Sequence, residues 1–547
     1  MDKKRKRAQQ SARRRIKHLL LDSDIRKTDE VEISLLSTSD ISSSDDEPSH
    51  IQVEVDAGCS RETSPVHLVQ NEEFSDTASD GNNILTEENE HIWNTFDDAG
   101  VDIYPSSDDD ESEEDQDTSF KKEIAEWAVN CNVPLTTLTK LLSILRHKNL
   151  DVPVEATTLL QTTKKIHVVN KSGGDYIYFG LESSIKRSLS TFSPENIDLI
   201  ELSINIDGLP IYKSNNISVW PVQCTVANIK PKDPFVVALY SGKHKPQDCA
   251  FLEDFVAELK TIMETGIQFE GCSNPKSVCI RCFVCDAPAK AMVKATIQYN
   301  GRYGCDFCDV EGEFDGRMLF LYEGRPRTDH SFRQQSNPQH HKGKSVLLSL
   351  DIDMISQFPI DPMHCIDLGV TKRLLLLWKE GPIPYRLSAS HLNLLSVYHK
   401  SLRQFLPKNF NRKPRGLDEV KLWKATEFRT FLMYTGPVVL KFVLPQKQYQ
   451  HFLSFSVAIS ILYNAQLLQE HKKYAQDLLS FFVKKAQEIY SKRFVSYNVH
   501  CLQHMAEIAE KYKSLENCTA YTFENHMAKI KRCVRGPDSL LYKLPGD

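Results

Sequence analysis

The stretch Ile200-Glu-Leu-Ser-Ile-Asn-Ile-Asp207-Gly208 decides how the rest of the chain is read. Ile200, Leu202, Ile204 and Ile206 share one face, and Glu201, Ser203, Asn205 and Asp207 share the other. That period of two predicts a half-buried strand closed by an Asp-Gly turn. Downstream, Val219–Ala227 and Phe235–Tyr240 are two more strand candidates bounded by turn residues. In 251–264 the residues Phe251, Phe255, Leu259, Ile262 and Met263 fall on one helical face. Val278–Cys285 is rich in β-branched and other apolar residues, and Asp286-Ala-Pro288 then reads as a helix start. Three strands on short links make an antiparallel meander, and a helical crossover returns a fourth strand parallel to one of them. If the fourth lies beside the first, Asp207 and Asp286 end on neighbouring strands.

Upstream the character changes. Residues 1–27 hold 11 Lys/Arg against 3 Asp/Glu, while 28–120 hold 28 Asp/Glu against Arg61 alone. Residues 121–547 hold 55 bases against 42 acids, so the overall net charge of −6 conceals a basic body carrying an acidic arm. A basic body points to a polyanionic partner. The clusters KKRKR (3–7) and RRRIK (13–17) read as nuclear localisation, nucleic-acid contact or a solvated tail. The Ser/Asp/Glu-rich arm, 28–120, is too polar to offset the entropy of ordering and is predicted to be disordered. Order is expected from about Phe120. There, Glu123–Asn130 and Leu135–His147 have the pattern of a helix-turn-helix or, more in keeping with the apolar second helix, a plain helical hairpin. From about 363 to 512 the chain is mostly helical, with Leu-rich segments 371–379, 390–405, 425–442, 451–469 and 474–490, and is read as an insertion or second domain. The expected division is 1–27, 28–120, 121–165, 166–345, 346–495 and 496–547. No apolar run approaches the 18 or so residues a membrane span needs. Met1-Asp-Lys-Lys-Arg is no secretory signal. Without one, the 14 cysteines read as reduced thiols or metal ligands rather than a disulfide framework.

Several residues have the chemistry of a site. Two carboxylates at one point repel unless a cation such as Mg²⁺ neutralises them. Asp207 and Asp286 form such a pair, although a turn and a helix N-cap would also explain them. Cys305-Asp-Phe-Cys308 supplies half a tetrahedral zinc site, and His500-Cys-Leu-Gln-His504 places two imidazoles on one helical face to complete it. The bland alternatives are a redox CxxC and surface histidines. Cys279, Cys282 and Cys285 would alternate faces in a strand and are read as core. Glu524 opens a helix with an apolar stripe (Phe523, Met527, Ile530) and basic Lys529, Lys531, Arg532 and Arg535. It is either a helix-dipole partner or a third metal ligand. Asp361-Pro-Met-His364-Cys-Ile-Asp367 can bind metal, cap a helix or hold substrate, with capping favoured.

The runs 207–224, 285–308, 361–378 and 521–537 together resemble the transposases of CACTA-type (En/Spm) DNA transposons in their animal form, over roughly residues 120–537. The strand order is also that of an RNase H-like fold. The expected class is therefore α/β, an RNase H-like core interrupted by a helical insertion. The resemblance implies a DDE triad of Asp207, Asp286 and Glu524 holding two Mg²⁺ ions for DNA cleavage and strand transfer. The architecture is similar as well to the catalytic subunit of the V(D)J recombinase, in which a CxxC and a His pair bind zinc. This implies a structural Zn²⁺ on Cys305, Cys308, His500 and His504. Transposon ends and target DNA as partners and a homo-oligomer follow from the same resemblance, with no small-molecule substrate; the basic N-terminal clusters point to a nuclear location and the lack of a long apolar run to no membrane. The competing expectation is a domesticated or decayed relative that binds DNA or chromatin without catalysis. After Gly536-Pro537 the family continues through a polar and basic helix, so 538–547 reads as a truncated or misjoined C-terminus.

Overall fold

The computed structural model describes residues 113–533 except 132, 161–166, 212–216, 409 and 411. The basic tail, residues 28–112 of the acidic arm, Arg535 and the C-terminal 538–547 lie outside the described residues. Where the arm was expected to run to 120, helix α1 (Glu113–Asn130) already begins at Glu113. It pairs with α2 (Leu135–Arg146). Ile124, Ala128, Leu138 and Leu142 bury a small core of their own together with Val152, Ala156 and Leu159. The pair is thus a hairpin with its own core.

A seven-stranded mixed sheet follows. A short hairpin, β1 (Val169–Lys171) and β2 (Gly174–Tyr178), leads into helix α3 (Leu181–Ser188). Next come β3 (Leu199–Ile206), the two-residue β4 (Leu209–Pro210), β5 (Ser218–Val226) and β6 (Phe235–Gly242). Helix α4 (Glu253–Thr265) buries Phe255, Val256, Leu259 and Ile262 against the sheet. It stops at Gly266, whose φ of +73° and whose closeness to the Lys276 carbonyl exclude a side chain. The crossover delivers β7 (Ser277–Phe283) parallel to β3, with Ile204 opposite Phe283. The other pairings are antiparallel, in the order β1-β2-β6-β5-β3-β7 with β4 on β5. The expected meander with a parallel fourth strand is present, and the β1–β2 hairpin and β4 add to it.

β3 departs from the half-buried expectation. Its apolar residues face a core with α3 and α4, but Ser203 and Asn205 on the polar face are also buried. That face is covered, so its polar side chains must find partners inside the protein.

Helix α5 (Ala287–Val293) leaves β7. The boundary expected at 345 lies later, because Leu347, Leu350, Ile352, Met354, Ile355 and Phe358 pack into the sheet core. In addition, the Phe283 amide donates to the Gln357 carbonyl. A nine-residue π-helical stretch, Met363–Thr371, then runs into α6 (Lys372–Glu380). The helical half continues through α7 (Ala389–Ser401), α8 (Gln446–Leu462) and α9 (Ala465–Tyr490). The expected segment 451–469 is two helices, divided where the Asn464 side chain caps α9. The segment 425–442 is broken by a π-helical turn at Phe431–Thr435. Short α10 (Tyr497–Cys501), α11 (Met505–Tyr512) and α12 (Tyr521–Cys533) end the described chain. α12 returns to the sheet, where Met527 and Ile530 pack on Leu209, Val219 and Leu239, while Phe523 joins the helical core. No described helix is long and apolar enough to cross a membrane.

Candidate active site and metal centre

Asp207 follows the last residue of β3. One of its carboxylate oxygens accepts from the Gly208 amide at 2.7 Å, and Gly208 lies so close to the Trp220 ring that a Cβ would meet it at 2.8 Å. Asp286 sits at the matching end of the adjacent parallel strand and caps α5, accepting from the Ala289 amide at 2.7 Å. The turn and capping roles weighed from the sequence are therefore both real. Each occupies one carboxylate oxygen, and neither prevents the two acids from sharing a site.

Glu524 arrives from the other end of the chain, in the first turn of α12. Two buried acids fix that turn. Asp361 accepts from the Ala520 amide at 2.8 Å, and Asp367 accepts from the Tyr521 hydroxyl at 2.8 Å. Asp361 also caps its own helix, accepting from the His364 amide at 3.0 Å, and accepts a hydrogen bond from His364 Nδ1 at 2.7 Å. With Nδ1 so engaged, His364 Nε2 faces Glu524 Oε1 at 3.7 Å.

The four groups act on one another electrostatically. Burial and then repulsion from Asp286 and Glu524 hold the Asp207 carboxyl well above the usual carboxylate range. Burial also raises Asp286, with Asp361 adding to it. Burial, Asp361 and Asp286 lift Glu524 to about 7. His364 is pulled up to about 10 because the Asp361 hydrogen bond and charge, with Glu524 and Asp286, outweigh its burial. All four side chains are half-buried, enclosed by protein with an opening to solvent. Three acids thus lie within electrostatic reach of one another and of one cationic imidazole.

Cys305, Cys308, His500 and His504 form the second centre. Their ligand atoms all lie within 4.8 Å of one another. Cys308 Sγ is 3.4 Å from Cys305 Sγ and 3.2 Å from His500 Nε2, and Cys305 Sγ is 3.6 Å from His504 Nε2. A tetrahedral zinc with its usual bond lengths separates such ligands by about 3.3–3.8 Å, so this cluster can bind a metal such as zinc. The Gln503 amide lies 3.3 Å from His500 Nδ1, in a position to orient that ring. Four protein ligands leave no open position, which is the pattern of a structural site. The site joins the segment after Asp286 to the helices before Glu524. Cys282 and Cys285 are buried and Cys279 half-buried, outside this group, and all three are free thiols.

The 361–367 cluster was weighed as capping, metal-binding or substrate-holding. Capping is present, and Asp361 and Asp367 also set the start of Glu524's helix, while His364 reaches the acids. Sequence reasoning missed Asn205, Gln223 and His526, polar residues behind the acids. The polar face of β3 was a signal for Asn205 alone. No family profile matches the chain, and neither does any curated protein sequence.

Proposed function

We propose that the chain is a DDE transposase, or a protein derived from one, in which an RNase H-like core catalyses metal-dependent cleavage and transfer of DNA strands. The observation that carries this reading is that Asp207, Asp286 and Glu524, from three segments far apart in sequence, act on one another electrostatically, the first two just past the ends of adjacent parallel strands. The reading takes Asp207, Asp286 and Glu524 as the holders of Mg²⁺. Bound there, two ions would activate water or a 3′-hydroxyl and stabilise the leaving oxygen. The protein's own contribution is positional. Strand ends fix the two aspartates, the Asp361 and Asp367 bonds fix the helix of Glu524, and His364 offsets part of the negative charge. Zinc on the Cys₂His₂ cluster is structural in this account, holding the CxxC segment to the helices that precede Glu524.

DNA is the partner this reading requires, the basic clusters at 3–7 and 13–17 address the protein to the nucleus, and strand transfer at two ends calls for a homo-oligomer. The test is a plasmid-nicking assay with Mg²⁺ or Mn²⁺. Wild type is expected to nick, and Asp207→Ala and Asp286→Ala to lose nicking by at least about 10³-fold, the scale of the electrostatic stabilisation removed. Identical behaviour of the three proteins would reject the reading.

A further inference from the structure

We propose that Asn205, Gln223 and His526 form a positioning relay that sets Glu524 in register with the two aspartates; this rests on the reading of the three acids as one centre. The relay is a continuous chain of hydrogen bonds. Asn205 Nδ2 donates to the Val284 carbonyl at 2.7 Å. Gln223 Nε2 donates to Asn205 Oδ1 at 2.9 Å. Gln223 Oε1 meets His526 Nδ1 at 2.6 Å. Asn205 and Gln223 are inaccessible to solvent, at 1% and 0% exposure, so water cannot replace these bonds.

The placement of the links gives the relay its meaning. Asn205 stands two residues before Asp207, Val284 two before Asp286, and His526 two after Glu524. Each acid-bearing segment thus contributes one link, and Gln223 in β5 joins the strand pair to α12. The direction of the bonds is fixed at one end. A backbone carbonyl only accepts, so Asn205 must present its NH₂ to Val284 and its oxygen to Gln223. Gln223 must then present NH₂ to Asn205 and its oxygen to His526. That oxygen only accepts, so His526 must carry its proton on Nδ1. The relay therefore specifies both the rotation of α12 on the sheet and the tautomer of His526. Buried polar chains of this kind are costly when one partner is lost, since the remaining groups are stranded without water.

The test uses the full-length protein with its zinc content verified as a check of folding. His526→Leu removes the donor and is expected to lower Mn²⁺-dependent strand cleavage on the order of 10²-fold, the cost of misplacing a catalytic group by about 1 Å. The loss should fall on kcat, with the KM for DNA unchanged. His526→Asn places an N–H near the position of Nδ1 and should restore most of the rate, whereas His526→Gln, whose N–H lies near Nε2, should not. Nitrogen-15 NMR of histidine-labelled protein supplies a readout independent of activity. It should show His526 as the Nδ1–H tautomer, with its resonance shifted in Gln223→Leu. An active His526→Leu, an Asn variant no better than Leu, or an Nε2–H tautomer overturns the proposal. If wild type itself does not cleave DNA, the reading of the acids fails, and the NMR result alone decides the relay.

Discussion

Asp367 is a fully buried carboxyl whose Oδ2 accepts from the Tyr521 hydroxyl and whose Oδ1 has no hydrogen-bond partner among the described residues. Burial raises it to about 8, although Arg429 acts in the opposite direction. Its folded value lies above its unfolded one, so its contribution to stability is complete at low pH and is lost as pH rises through about 8. Between about pH 7 and pH 9 this loss amounts to about 1.4 kcal/mol. Asp367→Asn, which keeps an acceptor for Tyr521 and cannot ionise, should remove that fall in urea denaturation across the range. A slope unchanged in the variant would show that Asp367 is not its source. At this scale the sequence was partly legible. Asp286-Ala-Pro288 announced an N-cap, and the structure has it. Asp361 and His364 were legible as a capping group. Their reach to Ala520 and Glu524, about 160 residues away, has no local signature, because long-range contacts leave no periodicity in the chain.

α12 and the Cys₂His₂ cluster are the elements that bring Glu524 to the sheet. Met527 is fully buried between α12 and the sheet. Met527→Ala should cost about 2–4 kcal/mol in denaturant unfolding, the usual range for truncating a buried side chain. A cost near zero would mean that the helix is not packed as described. Cys305→Ser should abolish stoichiometric zinc by elemental analysis and lower the melting temperature, because a structural metal's binding energy is folding energy. Full zinc retention in the variant would place the metal elsewhere. β3, from its period of two, and β5, β6 and β7, from apolar runs bounded by turn residues, were readable to within two residues. β1, β2 and β4 were not, being two to five residues long, too short for a period to register. The polar side of β3 was read as solvated for a sound reason, since alternation usually marks a water-facing strand. Here that side lies behind the acids, and its partners come from β5 and α12.

Over the whole molecule, the sheet core and the core of the helical half are two clusters that meet at the end of β7. Cys282 and Val284 at the end of β7 belong to the same apolar cluster as the CxxC and the helices from α6 onward. The helical half therefore closes over the acids' side of the sheet and returns α12 to it. The charge division along the chain adds a separate expectation. If the proposed DNA-binding reading holds and the acidic arm competes with DNA for the basic body, deleting residues 28–112, which spares α1, should tighten non-specific DNA binding and steepen its salt dependence. Fluorescence anisotropy at several salt concentrations would measure this, and unchanged affinity would reject the competition. The central claim, that Asp207, Asp286 and Glu524 form one divalent-cation centre, is tested most directly by substituting Fe²⁺ for Mg²⁺ and adding ascorbate and peroxide, so that radicals cut the polypeptide beside the bound ion. The account predicts cuts clustered near residues 207, 286 and 524 together, suppressed by excess Mg²⁺ and by Asp207→Asn. Cuts confined to 305–308 and 500–504, or insensitive to Asp207→Asn, would contradict it.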